Sequence, residues 1–307
     1  MSLVPGARSQ TIAVIGLGSM GRGMAESLLR AGYSVRGYDV SSAATGAFAE
    51  VGGYPAETPA DAAADADAVL CVVVNSAQTE AVISGEAGVF DVMQPGSVFV
   101  SSATMAPTEA RRLAEKLAER NIHYLDAPIS GGAAKAARGA LTIMASGSAD
   151  AFDRAESLLS AIAAKTYRLG DAPGIGASVK MINQHLAGIH IAAACEAVTL
   201  AAKLGLDLPT VYDVITASAG NSWMFENRVP HVLSGDYTPL SSVEIFVKDL
   251  GILQDMARTE RFPVPIAAAA LQMYLATSGA GMGLDDDASV ARTYAALSGA
   301  CLPPVAE

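Results

Sequence analysis

The sequence is short of aromatic residues and of positive charge, and each shortage excludes a class of protein. Aromatic residues make up 6% of the 307 residues, whereas 51% of the residues are hydrophobic and alanine is abundant. This composition supplies a packed core and favours helices over an all-β sandwich. Lys and Arg number 20 against 31 Asp and Glu, which gives a formal net charge of −11. We therefore expect no nucleic-acid surface, because phosphate contacts need clustered Lys and Arg.

Cysteine is also scarce, and its spacing excludes two kinds of covalent support. Cys71, Cys195 and Cys301 are odd in number and widely separated, which fits neither a disulfide framework nor a zinc site. We expect them to be buried free thiols in a reducing cytoplasm. Because no histidine and carboxylate residues have metal-ligand spacing, we predict no metal site.

Features that would direct the chain to a membrane are missing as well. No stretch approaches the ~18 uninterrupted apolar residues of a membrane span. Residues 1–10 (MSLVPGARSQ) lack the basic region and the apolar core of a signal peptide. We therefore expect a cytoplasmic protein without a membrane partner.

The first half of the sequence alternates short apolar strands with helices. This order predicts an α/β Rossmann-type fold with a mostly parallel, doubly wound sheet. Gly32 is predicted to end the first helix, and Asp150 is predicted to be the N-cap of the fourth. The predicted strands are residues 11–16, 34–39, 68–74, 97–103, 123–129, 140–146 and 166–170, and the predicted helices are residues 20–31, 78–90, 107–120 and 150–164.

The pattern changes to helices alone after Gly174. The Gly- and Pro-rich segment 170–176 marks the boundary, so we divide the chain into an α/β domain, residues 1–173, and an all-helical domain, residues 174–307. The predicted helices of the second domain are residues 178–204, 209–218, 223–234, 241–259, 264–277 and 285–297.

A glycine-rich turn with the pattern G-x-G-x-x-G joins the first predicted strand to the first helix. In a Rossmann unit the first glycine makes a tight turn, the second lets a pyrophosphate approach the backbone, and the third lets helix and strand pack closely. The pyrophosphate then lies at the positive N-terminus of the helix. The alternative is a glycine-rich turn without a ligand. The turn consists of Gly16, Leu17, Gly18, Ser19, Met20 and Gly21.

Asp39, at the end of the second predicted strand, is placed to accept hydrogen bonds from both ribose hydroxyls of a dinucleotide. Its carboxylate repels a 2′-phosphate, and Arg36 lies within the strand, away from the usual position of a phosphate clamp. These residues predict NAD as the cofactor in preference to NADP. We also expect Val74 and Asn75, at the end of the third predicted strand, to contact the cofactor.

Five motifs, in order along nearly the whole chain, resemble those of one enzyme family, the β-hydroxyacid dehydrogenases. The resemblance implies an NAD-binding Rossmann domain over residues 1–173 and a helical domain for substrate and oligomer contacts over residues 174–307. The motifs are GLGSMGRGMAESLLRAGYSVRGYD (16–39), SSATMAPTEA (101–110), DAPISGGAAKAARGALTIMASG (126–147), GASVKMINQ (176–184) and FVKDLG (246–251).

The resemblance implies a substrate-binding role for the turn Ser130, Gly131 and Gly132. This turn follows a strand end, where ligands lie in open α/β sheets, and its hydroxyl and N–H groups can bind a carboxylate. An ordinary turn is the alternative. Thr104, just past another strand end, is implied to orient the nicotinamide.

The resemblance also implies that Lys180, in an apolar stretch of the long helix, is the general base that takes the substrate hydroxyl proton. From position alone, the alternative is a solvated surface lysine. Asn183 and Gln184 share its helix face and suit a polyhydroxy acid. The family most often has Asn where this chain has Gln184, and packing or capping is the alternative role for both amides. Lys248 is implied to close over the cofactor or the substrate carboxylate, with Asp249 either paired to it or capping a helix.

Three segments further resemble the L-threonate dehydrogenase subfamily, which oxidises C2 of a four-carbon sugar acid with NAD. The alternatives are a 3-hydroxyisobutyrate dehydrogenase, a tartronate semialdehyde reductase, an NAD-binding protein without turnover, or an imine reductase, a class that often lacks the base lysine. The segments are NQHLAGIHIAAACEAVTLA (183–201), GNSWMFENRVPHVLSGDYTP (220–239) and IFVKDLGI (245–252).

Several other residues have open roles at this point. Asn221, Trp223 and Phe225 either line the substrate pocket or, for the two aromatic residues, belong to the core. His185 and His190 are predicted to be structural. The acidic run 285–287 is predicted to begin the last helix. Apolar residues on several faces of the helix 178–204 predict a buried helix and a homodimer or homotetramer.

Overall fold

A computed structural model describes residues 10–306 of the chain. Residues 1–9, most of the segment in which we expected no signal peptide, and residue 307 lie outside the described residues. The chain divides into two compact units, of which the first ends at Lys180 and the second begins at Met181. The predicted boundary at 170–176 lies a few residues earlier.

The first unit contains a six-stranded parallel sheet in the order β3-β2-β1-β4-β5-β6, which confirms the predicted Rossmann-type fold. Its central strands β1, β4 and β5 are buried at every residue because helices cover both faces of a parallel sheet. The strands are β1 (Thr11–Ile15), β2 (Ser34–Tyr38), β3 (Tyr54–Pro55), β4 (Ala68–Cys71), β5 (Val98–Ser101) and β6 (His123–Asp126).

Helices connect these strands, including elements between residues 42 and 63 that the sequence analysis did not identify. These elements are short and poor in periodic apolar residues, so they carry little signal. The N–H groups of Gly32 and Tyr33 bond to the carbonyls of Leu29 and Leu28, so Gly32 ends the first helix as predicted. The helices are α1 (Ser19–Arg30), α2 (Ser42–Glu50), α3 (Pro59–Ala63), α4 (Ser76–Ser84) and α5 (Pro107–Ala118).

The last strands of the first unit form a separate sheet and do not extend the large one, which corrects the expectation of a single sheet. The predicted strand 123–129 breaks because Pro128 has no N–H to donate. In the small sheet β7 is antiparallel to β8, and β9 is parallel to β8. Its elements are β7 (Ile129–Ser130), α6 (Gly132–Ala137), β8 (Leu141–Ala145), α7 (Ala149–Ile162) and β9 (Ala163–Arg168).

The predicted N-cap of α7 is wrong by two residues. Ser148 is the N-cap, and its hydroxyl accepts a hydrogen bond from the N–H of Ala151 at 3.2 Å. Asp150 lies in the first turn, where its negative charge still favours the helix dipole.

Within residues 10–306, no further β-strand follows β9, as the sequence predicted. The start of the last helix differs from the prediction. Asp286 caps a short 3-10 turn, Asp287–Ser289, and the buried Asp287 forms an ion pair with Arg228 at 2.5 Å. The helices are α8 (Ile175–Lys203), α9 (Leu208–Thr216), α10 (Trp223–Ser234), α11 (Val243–Thr259), α12 (Pro265–Thr277) and α13 (Val290–Ser298).

By length and composition alone, α8 is long and apolar enough to cross a membrane. Half of its most apolar window is buried inside the protein, and a core helix passes the same test. Cys71 and Cys195 are buried as expected. Cys301 is exposed, contrary to expectation, because it follows the last helix in an irregular segment.

Candidate active site

The carboxyl ends of five strands of the large sheet lie along one edge. The register pairs Ile15 with both Tyr38 and Cys71, Cys71 with Ser101, and Ser101 with Asp126. The strand order reverses between β1 and β4, which is where open α/β sheets bind ligands. The glycine-rich turn, Asp39 and the loops after β4 and β5 therefore leave the sheet at the same edge.

The glycine-rich turn has the shape that a dinucleotide needs. Gly16 has a φ of 95°, and a Cβ there would lie 2.4 Å from the carbonyl oxygen of Val72. Gly18 is the N-cap of α1, and among the described residues other than Gly18 and its two chain neighbours, no heavy atom lies within 4 Å of the position its Cβ would occupy. The first turn of α1 contains no acidic residue. This helix start therefore has the space and the positive field that fit a pyrophosphate.

Asp39 is tied to the backbone on both sides. Its Oδ2 accepts the N–H of Leu17 at 2.7 Å, and its Oδ1 accepts the N–H of Ser41 at 2.8 Å. The sequence predicted ribose contacts and gave no sign of these bonds. Because each carboxylate oxygen has two lone pairs, Asp39 can shape the glycine-rich turn and still accept bonds from a ribose.

The residues after β4 have a local structural role in addition to the predicted cofactor contact. The side-chain oxygen of Asn75 accepts the N–H of Gln78 at 2.8 Å and caps α4. The N–H of Val74 donates to Gln78 Oε1 at 2.9 Å. Thr104 is half-buried in the loop between β5 and α5.

Lys180 is buried, with 8% of its surface exposed, so it is not the solvated lysine that position alone favoured. Its Nζ donates a hydrogen bond to the carbonyl oxygen of Ile129 at 2.9 Å. Ile129 directly precedes the predicted carboxylate-binding turn, in which Ser130 ends β7 and Gly131 is the N-cap of α6. The structure thus brings a buried amine next to the turn.

A chain of hydrogen bonds in the second unit joins three of the predicted residues through Asp249. Asp249 is 1% exposed. Its Oδ2 accepts the Nε2 of Gln184 at 2.5 Å, and its Oδ1 pairs with the Nζ of Lys248 at 2.5 Å. Asn183 Nδ2 donates to Gln184 Oε1 at 3.0 Å. Asp249 therefore forms the ion pair that was one of its two predicted roles, and both polar atoms of the Gln184 amide form hydrogen bonds within the protein.

The sequence analysis missed a buried carboxylate, Asp126, at the end of β6. Its Oδ2 accepts the N–H groups of Gly174 at 2.9 Å and Ala177 at 2.8 Å. Ser146 Oγ accepts the N–H of Gly176 at 2.9 Å and approaches Asp126 Oδ2 at 3.4 Å. Burial raises the pKa of Asp126 to about 6, although these hydrogen bonds oppose the rise. The available signal was the start of α8, where a glycine stands at the N-cap.

The remaining candidates differ from one another. Phe225 is buried and stacks on Tyr212 with ring centroids 6.0 Å apart, so it belongs to the core. Trp223 is 53% exposed, so it is not a core residue. Asn221 donates to Glu226 Oε1 at 2.5 Å and to a backbone carbonyl.

Two further observations concern titratable groups. His185 and His190 are half-buried on α8. Across the described residues, 10–306, no group of three or more His, Cys, Asp or Glu side chains is placed to hold a metal ion.

Two family models match the chain. The NAD binding domain of 6-phosphogluconate dehydrogenase matches residues 11–170. The model described as NAD-binding of NADP-dependent 3-hydroxyisobutyrate dehydrogenase matches residues 174–294. Together they span nearly all of the described residues.

Proteins of known name or structure match over nearly their whole length. The L-threonate dehydrogenase of Cupriavidus necator is 53% identical over 97% of this chain and 100% of that protein. The L-threonate dehydrogenase of Escherichia coli K12 is 48% identical over 94% of this chain and 95% of that protein. A Salmonella typhimurium crystal structure titled 3-hydroxyisobutyrate dehydrogenase is 48% identical, with a TM-score of 0.89, over 93% of this chain and 100% of that one.

Proposed function

Because this chain belongs to the β-hydroxyacid dehydrogenase family and is an NAD-dependent hydroxyacid dehydrogenase, we propose that it oxidises L-threonate at C2 to the 2-oxo acid. Two relatives named L-threonate dehydrogenase, at 53% and 48% identity over nearly full length, support the choice of substrate. The observation that carries the mechanism is the buried Lys180 with its Nζ 2.9 Å from Ile129 O, beside the turn 130–132.

The glycine-rich turn and Asp39 are proposed to hold NAD, with contacts from Val74, Asn75, Thr104 and Lys248. When bound, NAD supplies the nicotinamide ring that accepts a hydride from the substrate carbon. The open start of α1 fits the pyrophosphate, and the carboxylate of Asp39 favours a ribose hydroxyl over a 2′-phosphate. This charge argument supports NAD in preference to NADP.

Lys180 is proposed to remove the proton of the substrate C2 hydroxyl while the hydride leaves the same carbon. The C2–H and O–H bonds break, a C=O bond forms, and the proton stays on Nζ. A buried lysine is held as a neutral amine more easily than a solvated one. The hydroxyl of Ser130 and the N–H groups of Gly131 and Gly132 are proposed to bind the substrate carboxylate. Asn183 and Gln184 are proposed to face the other substrate hydroxyls.

One observation favours a second substrate, 3-hydroxyisobutyrate. The Salmonella structure with that activity in its title is as similar to this chain, at 48% identity, as the E. coli L-threonate dehydrogenase. NADH formation, followed by absorbance with L-threonate, other four-carbon aldonates, L-serine and 3-hydroxyisobutyrate, separates the two. We expect the largest kcat/KM with L-threonate. A larger kcat/KM with 3-hydroxyisobutyrate would make that compound the substrate in place of L-threonate. If none of these compounds were oxidised, an NAD-binding protein without turnover would be the remaining interpretation.

The base is tested with Lys180→Ala. We expect kcat to fall by about 10²- to 10⁴-fold, the usual worth of general base catalysis, with an unchanged dissociation constant for NAD. Lys203→Ala is the matched control, because Lys203 lies on the same helix and is exposed. Normal turnover by Lys180→Ala would disprove the mechanism.

We propose a homodimer or homotetramer in which α8 contributes to the interface. Val179, Ile182, Leu186 and Leu200 on α8 are between 39% and 57% exposed in the single chain. Covering such residues with a second copy removes apolar surface from water. Sedimentation equilibrium should give a dimer or tetramer mass, and Leu186→Glu should lower it. A monomer at micromolar concentration would contradict this.

We also propose a reducing compartment, the cytoplasm, as the location of the protein. Cys71 and Cys195 are free thiols held in the interior, and Cys301 is a free thiol at the surface. Titration of purified protein with a thiol reagent should detect Cys301 alone in the native state and all three cysteines after unfolding. Fewer reactive thiols after unfolding would indicate a disulfide and an oxidising compartment.

A further inference from the structure

The start of α8 is held by residues from other elements. Gly174, the residue before α8, has no side chain with which to cap the helix. The N–H groups of Gly174 and Ala177 bond to Asp126, which ends β6, and the N–H of Gly176 bonds to Ser146, which follows β8. Three amide groups at a helix start, which would otherwise lack acceptors, thus receive them from two strand ends.

The same helix start also packs against backbone. A Cβ on Gly176 would lie 2.4 Å from the carbonyl oxygen of Met144 and 3.0 Å from that of Asp126. The first turn of α8 therefore rests directly on β6 and β8. A helix seated in this way has little freedom to rotate or slide, because backbone contacts cannot adapt as flexible side chains do.

The five-residue segment from Asp126 to Ser130 contacts α8 twice. The carboxylate of Asp126 bonds to the first turn, and the carbonyl of Ile129 accepts the Nζ of Lys180 one turn further on. The next residue, Ser130, begins the turn proposed to bind the substrate carboxylate. One short segment thus links the helix start, the buried amine and the substrate turn.

We propose that Asp126 is a positioning residue for the oxidation: with Ser146 it fixes the first turn of α8, so that Lys180 stays bonded to Ile129 beside the turn 130–132. This inference rests on the proposed role of Lys180 as the base. Asp126 holds the first turn of α8, and it acts on the proposed base through the helix. A small displacement of a catalytic group is costly, about 10²-fold in rate for roughly 1 Å.

The inference is tested by kinetics of Asp126→Ala, Asp126→Asn and Ser146→Ala with NAD and L-threonate. We expect Asp126→Ala to lower kcat by about 10²-fold with an unchanged NAD dissociation constant. Asp126→Asn should restore most of kcat, because its amide oxygen can accept the same N–H bonds. Ser148→Ala, which removes the cap of α7 in the same unit, is the matched control and should lower the melting temperature without changing kcat.

Hydrogen exchange gives a readout that does not depend on turnover. In Asp126→Ala the amides of residues 174–180 should exchange faster, while those of the first turn of α7 keep their rates; Ser148→Ala should give the reverse pattern. Unchanged exchange at 174–180, or a loss of kcat no larger than that of Ser148→Ala, would overturn the inference.

Two outcomes remain to be separated. If Asp126→Ala does not fold, the milder variants Asp126→Asn and Ser146→Ala are tested by the same hydrogen-exchange and kcat measurements. Ser146→Ala should speed exchange at residues 174–180 and lower kcat. No change in either quantity would overturn the inference. If Lys180→Ala keeps normal turnover, the proposed base is wrong. If Lys180→Ala is inactive but Asp126→Ala is fully active, only the positioning role is wrong.

Discussion

Two helices that begin within the first unit start with nearly the same sequence but in opposite surroundings. Gly16-Leu17-Gly18 leads into α1, and Gly174-Ile175-Gly176 begins α8. At α1 the space around Gly18 is open to 4 Å within the described residues, whereas at α8 a carboxylate, a hydroxyl and two backbone carbonyls surround the first turn. A G-x-G pattern at a helix start therefore does not by itself indicate a ligand.

The difference follows from what the strand ends supply. Helix N-terminal N–H groups need acceptors, which are either a ligand or the protein itself. The sheet edge beside α1 leaves room for an anion, while the edge beside α8 provides Asp126 and Ser146. The start of α1, which we call the open helix start, suits a cofactor that binds and dissociates. The start of α8, which we call the filled helix start, suits a helix whose lysine must keep its position.

The filled helix start should show the largest effect, as a pH-dependent stability. Burial raises the pKa of Asp126 to about 6 from its ordinary value of 3.8, with Tyr124 as the neighbouring titratable group. The folded protein thus holds this proton more tightly than the unfolded chain. The contribution of this proton to the free energy of unfolding is fully present below about pH 3.8 and is lost as the pH rises through about 6. The total loss is up to about 3 kcal/mol.

Asp126→Asn removes this titration while keeping an acceptor. We expect the variant to become more stable relative to the wild type as the pH rises. The measurement is the free energy of unfolding of both proteins in urea from pH 4 to pH 8. Asp287, whose pKa burial raises to about 7, titrates in both proteins and cancels in the difference. A difference independent of pH would mean that Asp126 titrates normally.

The open helix start should respond in the opposite sense to an added carboxylate. Gly18→Asp places a cap where the Cβ has room, which stabilises α1 by a few tenths of a kcal/mol relative to glycine. The same charge repels a pyrophosphate, at a cost of about 1–4 kcal/mol. We therefore expect NAD to bind about 5- to 10³-fold more weakly, measured by calorimetry. Gly18→Asn, which caps without charge, should bind NAD more tightly than Gly18→Asp.

Much of this comparison could be predicted from the sequence, but only on the α1 side. Apolar runs and the spacing of Gly16, Gly18 and Asp39 predict the strand, turn and helix because those contacts are local. The cap of α8 joins residues about 50 positions apart in the chain, as the Asp126–Gly174 bond does with a separation of 48. A single sequence does not show which distant residues lie close together in the fold. The sequence analysis therefore quoted Asp126 only as the first residue of a motif and gave it no role.

The same limit explains the other misses. Asp249 was assigned two possible roles because ion pairing and capping both fit an acid beside Lys248. Its 2.5 Å bond to Gln184, 65 residues earlier, was out of reach of local patterns. The separate small sheet was missed because strand periodicity reports that a strand exists but not which neighbour it pairs with.

A substitution of Asp39 tests whether the residues around the start of α1 also select NAD over NADP. Asp39→Ala removes the acceptor proposed for the ribose hydroxyls and the repulsion of a 2′-phosphate. We expect the ratio of kcat/KM for NAD over NADP to fall about 10- to 10²-fold, since a bond to a charged group contributes about 1.5–3 kcal/mol. The variant also loses the bonds to Leu17 and Ser41, but this affects both cofactors alike. An unchanged ratio would remove the ribose role.

The smallest expected effect concerns Asn75, for which the sequence predicted a cofactor contact and the structure shows the cap of α4. Asn75→Ala should lower the unfolding free energy by about 1 kcal/mol through loss of the cap. Asn75→Asp keeps an acceptor for the N–H of Gln78, so it should restore stability but not a bond that the amide donates to a ligand. If both variants bind NAD as the wild type does, α4 has a filled start like α8. If Asn75→Asp is stable but binds NAD weakly, Asn75 both caps its helix and contacts the cofactor, and the division between open and filled helix starts is then one of degree.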